Sequence, residues 1–162
     1  MISRIRQIDV LPLYFTYLRF KRLKFMTNTM TAERLTECLT LVQSALDDMK
    51  AKNITVMNVE ELTDVTERII IADGTSKRHV RAMADSVGAE AKQAGFMPLG
   101  REGGIDSDWT LIDLGAVVVH MMTPQAREFY DLEGLWSSPE QLAELVATPR
   151  EKKTAGRRNK NK

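Results

Sequence analysis

Little in this 162-residue chain invites covalent or metal chemistry. Cys38 is its single cysteine, and His79 and His120 are its only histidines. An intramolecular disulfide is therefore excluded, and so is a zinc site built from two to four thiolates. One thiol fits a reducing, cytoplasmic setting. Long apolar runs are missing too: Ile8 to Phe20 is rich in Leu, Tyr and Phe, but Asp9, Pro12 and Arg19 interrupt it and Lys21, Arg22 and Lys24 follow. A spanning helix needs about 20 mainly apolar residues, and a cleavable leader needs a cleaner apolar stretch with small residues after it. With 43% hydrophobic and 28% charged residues, what remains is one ordinary globular domain with a real core.

Net charge looks equally uneventful at +1. By segment it is a sum of opposites. Residues 1–29 carry six bases against Asp9, a net +5, and residues 150–162 carry seven bases against Glu151, a net +6. Between them, residues 30–149 hold ten bases and twenty acids, a net −10. An acidic body argues against a folded domain that grips nucleic acid mainly through its own surface and favours a basic partner. The first 29 residues read as a poorly ordered basic extension or as a mis-assigned start, with Met26 and Met30 as further candidate starts. A basic membrane-binding or RNA-binding arm is the second reading of that stretch.

Helical periodicity begins after Thr31, a good N-cap followed by Glu33, with Leu35, Cys38, Leu39, Val42, Leu46 and Met49 on one face. A helix is predicted over 32–51, with the Cys38 thiol in its core. Ile54 to Val59 and Arg68 to Ala72 read as strands, the second fully buried. The turn Asp73-Gly74-Thr75-Ser76 caps a helix bearing Val80, Met83, Ala84, Val87 and Ala91, which should stop at Gly95. Gly100 to Asp108 reads as a polar loop. Trp109–Asp113 and Ala116–Met122 read as a hairpin turning at Leu114-Gly115. Thr123-Pro124 opens a helix through Leu132 that Gly134 helps to stop. Ser138-Pro-Glu-Gln141 is a capping box for a short helix over 138–149, and the basic tail 150–162 should be disordered. The fold class is α/β (α+β): a small mixed sheet packed with helices.

Catalytic constellations do not assemble by spacing. The Gly74–Ser76 turn resembles a phosphate-binding helix start but lacks the Walker pattern and has Asp73 beside it, so an ordinary cap is preferred. A metal-dependent nucleotidyltransferase would need a second acid two residues from Asp113. Asp106, Asp108 and Asp113 read as solvated carboxylates, His79 as part of a solvated basic face, and His120 as a hydrogen-bonded structural residue. Neither a metal nor a cofactor is expected. Trp109, Trp136 and the segment from Phe129 to Trp136, which mixes large apolar side chains with acids, are candidates for interface anchors or for caps on the core.

Five collinear motifs carry a resemblance: Gly74-Thr-Ser-Lys-Arg-His-Val80, Pro98-Leu-Gly-Arg-Glu-Gly103, Asp108-Trp-Thr-Leu-Ile-Asp-Leu-Gly115, Val118-Val-His120 and Tyr130-Asp-Leu-Glu-Gly-Leu-Trp-Ser137. From Thr31 to Ser137 the chain resembles the ribosomal silencing factor family, also called the Iojap family. The resemblance implies a domain over 30–137 with a nucleotidyltransferase-like core that lacks the catalytic carboxylates. It implies a non-enzymatic repressor of translation and of mature ribosome formation under nutrient limitation or in stationary phase. Such a protein docks on the large ribosomal subunit through ribosomal protein L fourteen and blocks joining of the small subunit. Carried onto this chain, the contact residues are Trp109, Leu114, Met122, Tyr130, Leu135 and Trp136. Two positions depart from the family pattern: Ala116 and Glu67 stand where aspartates are usual, and Ala116 removes a carboxylate available to a basic partner. The competing readings are a nucleotidyltransferase-like enzyme using Gly74–Ser76 and Asp113, and an RNA-binding adaptor acting through the basic ends. An rRNA contact by the tail and pairing of two copies both remain open.

Overall fold

The computed structural model describes residues 30–137. The extension 1–29, the expected helix over 138–149 and the tail lie outside the described residues. Among the described residues nine elements follow in order: α1 (Ala32–Asp48), β1 (Lys52–Asn58), β2 (Arg68–Asp73), α2 (Lys77–Gln93), β3 (Gly100–Glu102), β4 (Trp109–Asp113), β5 (Val117–Met122), α3 (Pro124–Tyr130) and α4 (Leu132–Trp136). The chain forms two compact units that divide after Asp131.

In the first unit the five strands form one mixed sheet in the order β1-β2-β5-β4-β3. β2 and β5 run parallel at its centre, and every other pairing is antiparallel. A parallel pair needs a long crossover, and the chain from α2 through the β4 strand supplies it. β2 and β5 are buried almost throughout, as their unbroken β-branched runs require. The hairpin turns as expected: Gly115 takes a positive φ of 89°, its N–H donates to Asp113 Oδ1 at 2.8 Å, and Leu114 N–H donates to Val117 O at 2.8 Å. Asp113 is thus a turn-forming carboxylate.

Helix ends follow local chemistry. Thr31 caps α1 by accepting Arg34 N–H at 3.3 Å, and Lys50, at φ 61°, turns the chain out of the helix. α1 therefore stops at Asp48 rather than continuing to residue 51. Ser76 caps α2 by accepting His79 N–H at 3.1 Å, and Gly95, at φ 82°, stands just past its end. Gly74 is required for a different reason: a Cβ there would lie 2.8 Å from Val80 Cγ2 and 2.9 Å from Val80 N. α1 and α2 cover one face of the sheet. Leu46, Val80, Met83 and Val87 meet Ile70, Ile112, Val119 and Met121 there, with Cys38 among them. Each large side chain so buried contributes about 1.5–3 kcal/mol before entropy is counted.

Three further expectations change. The loop after Gly100 begins with β3, a three-residue edge strand paired to β4, which no periodicity of that length could announce. β1 begins two residues earlier than expected and carries a register shift between Lys52 and Thr55, with Asn53 at φ 50°. The single helix expected from Pro124 to Leu132 ends at Tyr130, because Asp131 adopts a left-handed conformation at φ 46°. In the second unit, the described part is the one-turn helix α4 followed by Ser137, whose hydroxyl donates to Glu133 O. Leu132, Leu135 and Trp136 are buried.

Candidate partner-docking surface

The open end of the β4–β5 hairpin brings three of the six expected contact residues together. Trp109 and Met122 are cross-strand partners, and His120 lies opposite Leu111, two residues along on the same face. The Trp109 indole N–H donates to His120 Nδ1 at 3.1 Å. Nδ1 is therefore an acceptor, which places the proton of the neutral ring on Nε2. His120 is wholly buried, and loss of solvation holds its pKa down at about 3. The imidazole thus works as a hydrogen-bond acceptor that fixes the tryptophan.

Tyr130 completes the cluster. Its ring centroid lies 4.7 Å from that of Trp109, at an interplanar angle of 46°. Phe129 meets Tyr130 edge-on at 5.1 Å. Trp109 is nearly covered and Met122 fully so, Tyr130 is half-buried, and Phe129 is 40% exposed. Asp106, Glu128 and Asp131, each within three residues of one of these rings along the chain, are exposed. Over residues 103–131 Arg127 is the one base against five acids.

That base positions the surface. α3 starts on Thr123, whose hydroxyl accepts Ala126 N–H at 3.3 Å, with Pro124 in the first turn. Thr123 N–H donates to Asp108 O at 2.9 Å, fastening the helix start to the loop before Trp109. From α3, Arg127 reaches across to the sheet edge. Its Nη1 donates to Asn53 O at 2.6 Å and to Asp73 Oδ1 at 2.9 Å, and its Nη2 donates to Thr55 Oγ1 at 2.9 Å. Asn53 Nδ2 donates to the other Asp73 oxygen at 2.8 Å. The pair is nearly buried, with the Asp73 side chain 6% exposed. Sequence reasoning missed Arg127; its signal was a lone base within an acidic stretch.

The remaining expected contacts lie elsewhere. Leu114 points to the other side of the sheet and belongs to the core under α1 and α2. Leu135 and Trp136 belong to the second unit and are each 3% exposed, and the Trp136 indole N–H has no acceptor among the described residues. Ala116 is 2% exposed within the helix-side core, so position 116 presents no side chain to a partner, contrary to expectation. Its carbonyl is what matters, accepting from Thr66 Oγ1 and from the N–H groups of Glu67 and Arg68 at 2.9–3.0 Å.

His79 also differs from its expected place on a solvated face. Nδ1 accepts Thr75 N–H at 2.9 Å, and Nε2 lies 2.7 Å from Met49 O, so the ring bridges the start of α2 and the end of α1. The Gly74–Ser76 turn is committed to that arrangement. Among the described residues no helix is long and apolar enough to cross a membrane.

Comparison with known proteins agrees with this architecture. A profile of the family described as "Ribosomal silencing factor during starvation" matches residues 32–162. A ribosomal silencing factor RsfS from Chromobacterium violaceum is 44% identical over 96 residues, covering 59% of this chain and 79% of that protein. One from Haemophilus influenzae is 43% identical over 96 residues, covering 59% of this chain and 94% of that protein. A crystal structure of a Chromobacterium violaceum protein superposes with a TM-score of 0.62 at 42% identity, over 64% of this chain and 86% of that one.

Proposed function

Because the chain belongs to the ribosomal silencing factor family, we propose that it represses translation by docking on the large ribosomal subunit through ribosomal protein L fourteen and excluding the small subunit by bulk. Repression of translation and of mature ribosome formation would then follow nutrient limitation, in the cytoplasm, with no reaction catalysed. The observation that carries the reading is the Trp109–Tyr130–Phe129 cluster, in a stretch of chain whose exposed charges are mainly acidic. Rigid aromatic side chains at a surface supply contact area at low entropic cost, and acids around them complement a basic ribosomal protein. Steric exclusion needs affinity and bulk, with no reactive group.

Burial divides the contact set. Tyr130 and the neighbouring Phe129 are the accessible faces, while Trp109 backs Tyr130 and Met122 is buried opposite Trp109 on the hairpin. Leu114 enters as support for the hairpin. Leu135 and Trp136 extend the proposal to the second unit. The test is co-sedimentation of the purified chain with isolated large subunits, together with a subunit-joining assay. Tyr130→Ala should weaken docking by about 2 kcal/mol, or about 30-fold in Kd, if the ring is an anchor. Circular dichroism confirms that the variant folds. Failure of the wild-type chain to bind large subunits, or unchanged joining at saturating protein, would overturn the proposal.

A further inference from the structure

We propose that the solvent face of α2 is a second docking surface, one that holds the phosphate backbone of RNA. This goes beyond docking through the aromatic rim, since it concerns another surface and another class of partner. The acidic body is not uniformly acidic. Residues 30–76 carry four bases against nine acids and residues 103–131 one against five, but residues 77–102 carry five bases against Asp85, Glu90 and Glu102. Within residues 30–131 the positive excess is confined to α2 and the short strand after it.

Folding gathers those bases. Val80, Met83, Ala84, Val87 and Ala91 turn into the core, which leaves Lys77, Arg78, Arg81, Asp85, Ala89 and Lys92 exposed along the opposite stripe. Arg101 of β3 joins them through its 2.6 Å contact with Asp85, which Arg81 also approaches at 3.9 Å. The stripe's one carboxylate is therefore shared by two guanidinium groups. Glu90 is half-buried and accepts the Ser86 hydroxyl at 3.0 Å. At the neighbouring end of α1, Lys50 and Lys52 are matched by Asp47 and Asp48, so the excess belongs to α2 itself. Lys77 and Arg78 stand at the start of that 17-residue helix, where the dipole adds to the attraction for anions.

Composition selects the partner. Protein interfaces are depleted of lysine and centre on aromatic anchors, and the α2 stripe offers no apolar side chain larger than that of Ala89. Several cations of one sign without an anchor suit phosphates, which are bound by charge and released counterions rather than by shape.

The experiment titrates salt against a fluorescein-labelled RNA hairpin of about 20 nucleotides, using the full chain and no ribosome, so it stands apart from docking on L fourteen. The variant Lys77→Gln/Arg78→Gln/Arg81→Gln is compared with Thr36→Glu/Thr40→Glu/Ser44→Glu, which makes the same net-charge change on the exposed side of α1. Loss of three phosphate contacts should lower the slope of log K against log salt by about 2 to 3. Between about 50 and 200 mM salt, wild type should therefore lose at least about 16-fold more affinity than the Gln variant does. The α1 variant should keep the wild-type slope. An unchanged slope in the Gln variant, or equal slope changes in both variants, would overturn the inference. So would displacement of the RNA by polyglutamate at matched charge.

Discussion

Acid should loosen this fold through His120, by an amount the structure allows to be worked out. The imidazole is wholly buried, accepts the Trp109 indole N–H at 3.1 Å, and has its pKa depressed from 6.5 to about 3 by burial. Protonation would put a charge into the core and a proton where the indole already donates. With the folded value depressed, the stabilisation from a neutral ring is fully present above the unfolded value near 6.5 and is lost as pH falls towards 3. Linkage between those two values gives a loss of about 2 kcal/mol between about pH 7.5 and about pH 5. At an m-value of about 2 kcal/mol/M, the urea midpoint should fall by about 1 M. The assay is urea unfolding followed by far-ultraviolet circular dichroism at both pH values, for wild type and for His120→Gln, whose amide oxygen can still accept from the indole. Carboxylates that titrate over the same range act on both proteins, so the difference isolates the imidazole. If His120→Gln loses as much stability as wild type, the buried neutral histidine is not the source, and the reasoning fails.

Other substitutions test other parts of the construction. Arg127→Ala should cost about 3 kcal/mol in chemical denaturation, since it leaves the Asp73 carboxylate at 6% exposure with its charge partner removed; a loss under 1 kcal/mol would show the pair to be dispensable. Gly74→Ala should lower stability by about 1–3 kcal/mol, because its Cβ would press on Val80 Cγ2 and on Val80 N at 2.8–2.9 Å; an unchanged melting temperature would contradict the tight approach. Cys38, fully buried with its pKa raised to about 11 by burial and only partly offset by Arg34, should resist iodoacetamide at about pH 8 in the native state and react in denaturant. Rapid native alkylation would place the thiol outside the core.

Much of the fold is legible because its signals are local. A threonine or serine before a periodic apolar stripe specifies the starts of α1, α2 and α3, and the short, β-branched apolar runs Ile69–Ala72 and Val117–Val119 point to buried central strands. Where local signals run out, the expectations drift. β3 has only three residues and no apolar alternation; it exists because Arg101 and Glu102 find backbone partners across from Ile112 and Leu111. Asp131 is compatible with a continuing helix by propensity, and its left-handed conformation, which ends α3, has no signal in residue type beyond the tolerance of aspartate for that region.

The docking surface is legible only in part, because residue type does not say which way a side chain faces. Trp109, Leu114 and Met122 all suit an interface by composition. Yet the period of two along β4 sends Trp109 to one face of the sheet and Leu114 to the helix-packed face. Phe129, absent from the expected contact set, is more exposed than its selected neighbour Tyr130, since position on the seven-residue α3 rather than hydrophobicity decides which ring reaches solvent. Charge followed the same rule. A count along the chain made residues 30–149 a uniformly acidic block, but the helical period of α2 turns its apolar residues inward and lines up Lys77, Arg78, Arg81 and Lys92 outside. Acids then predominate in the stretch that carries the aromatic cluster while bases occupy a helix face. A protein that must hold a particle made of basic proteins and phosphate gains from that separation, because each surface attracts what the other repels.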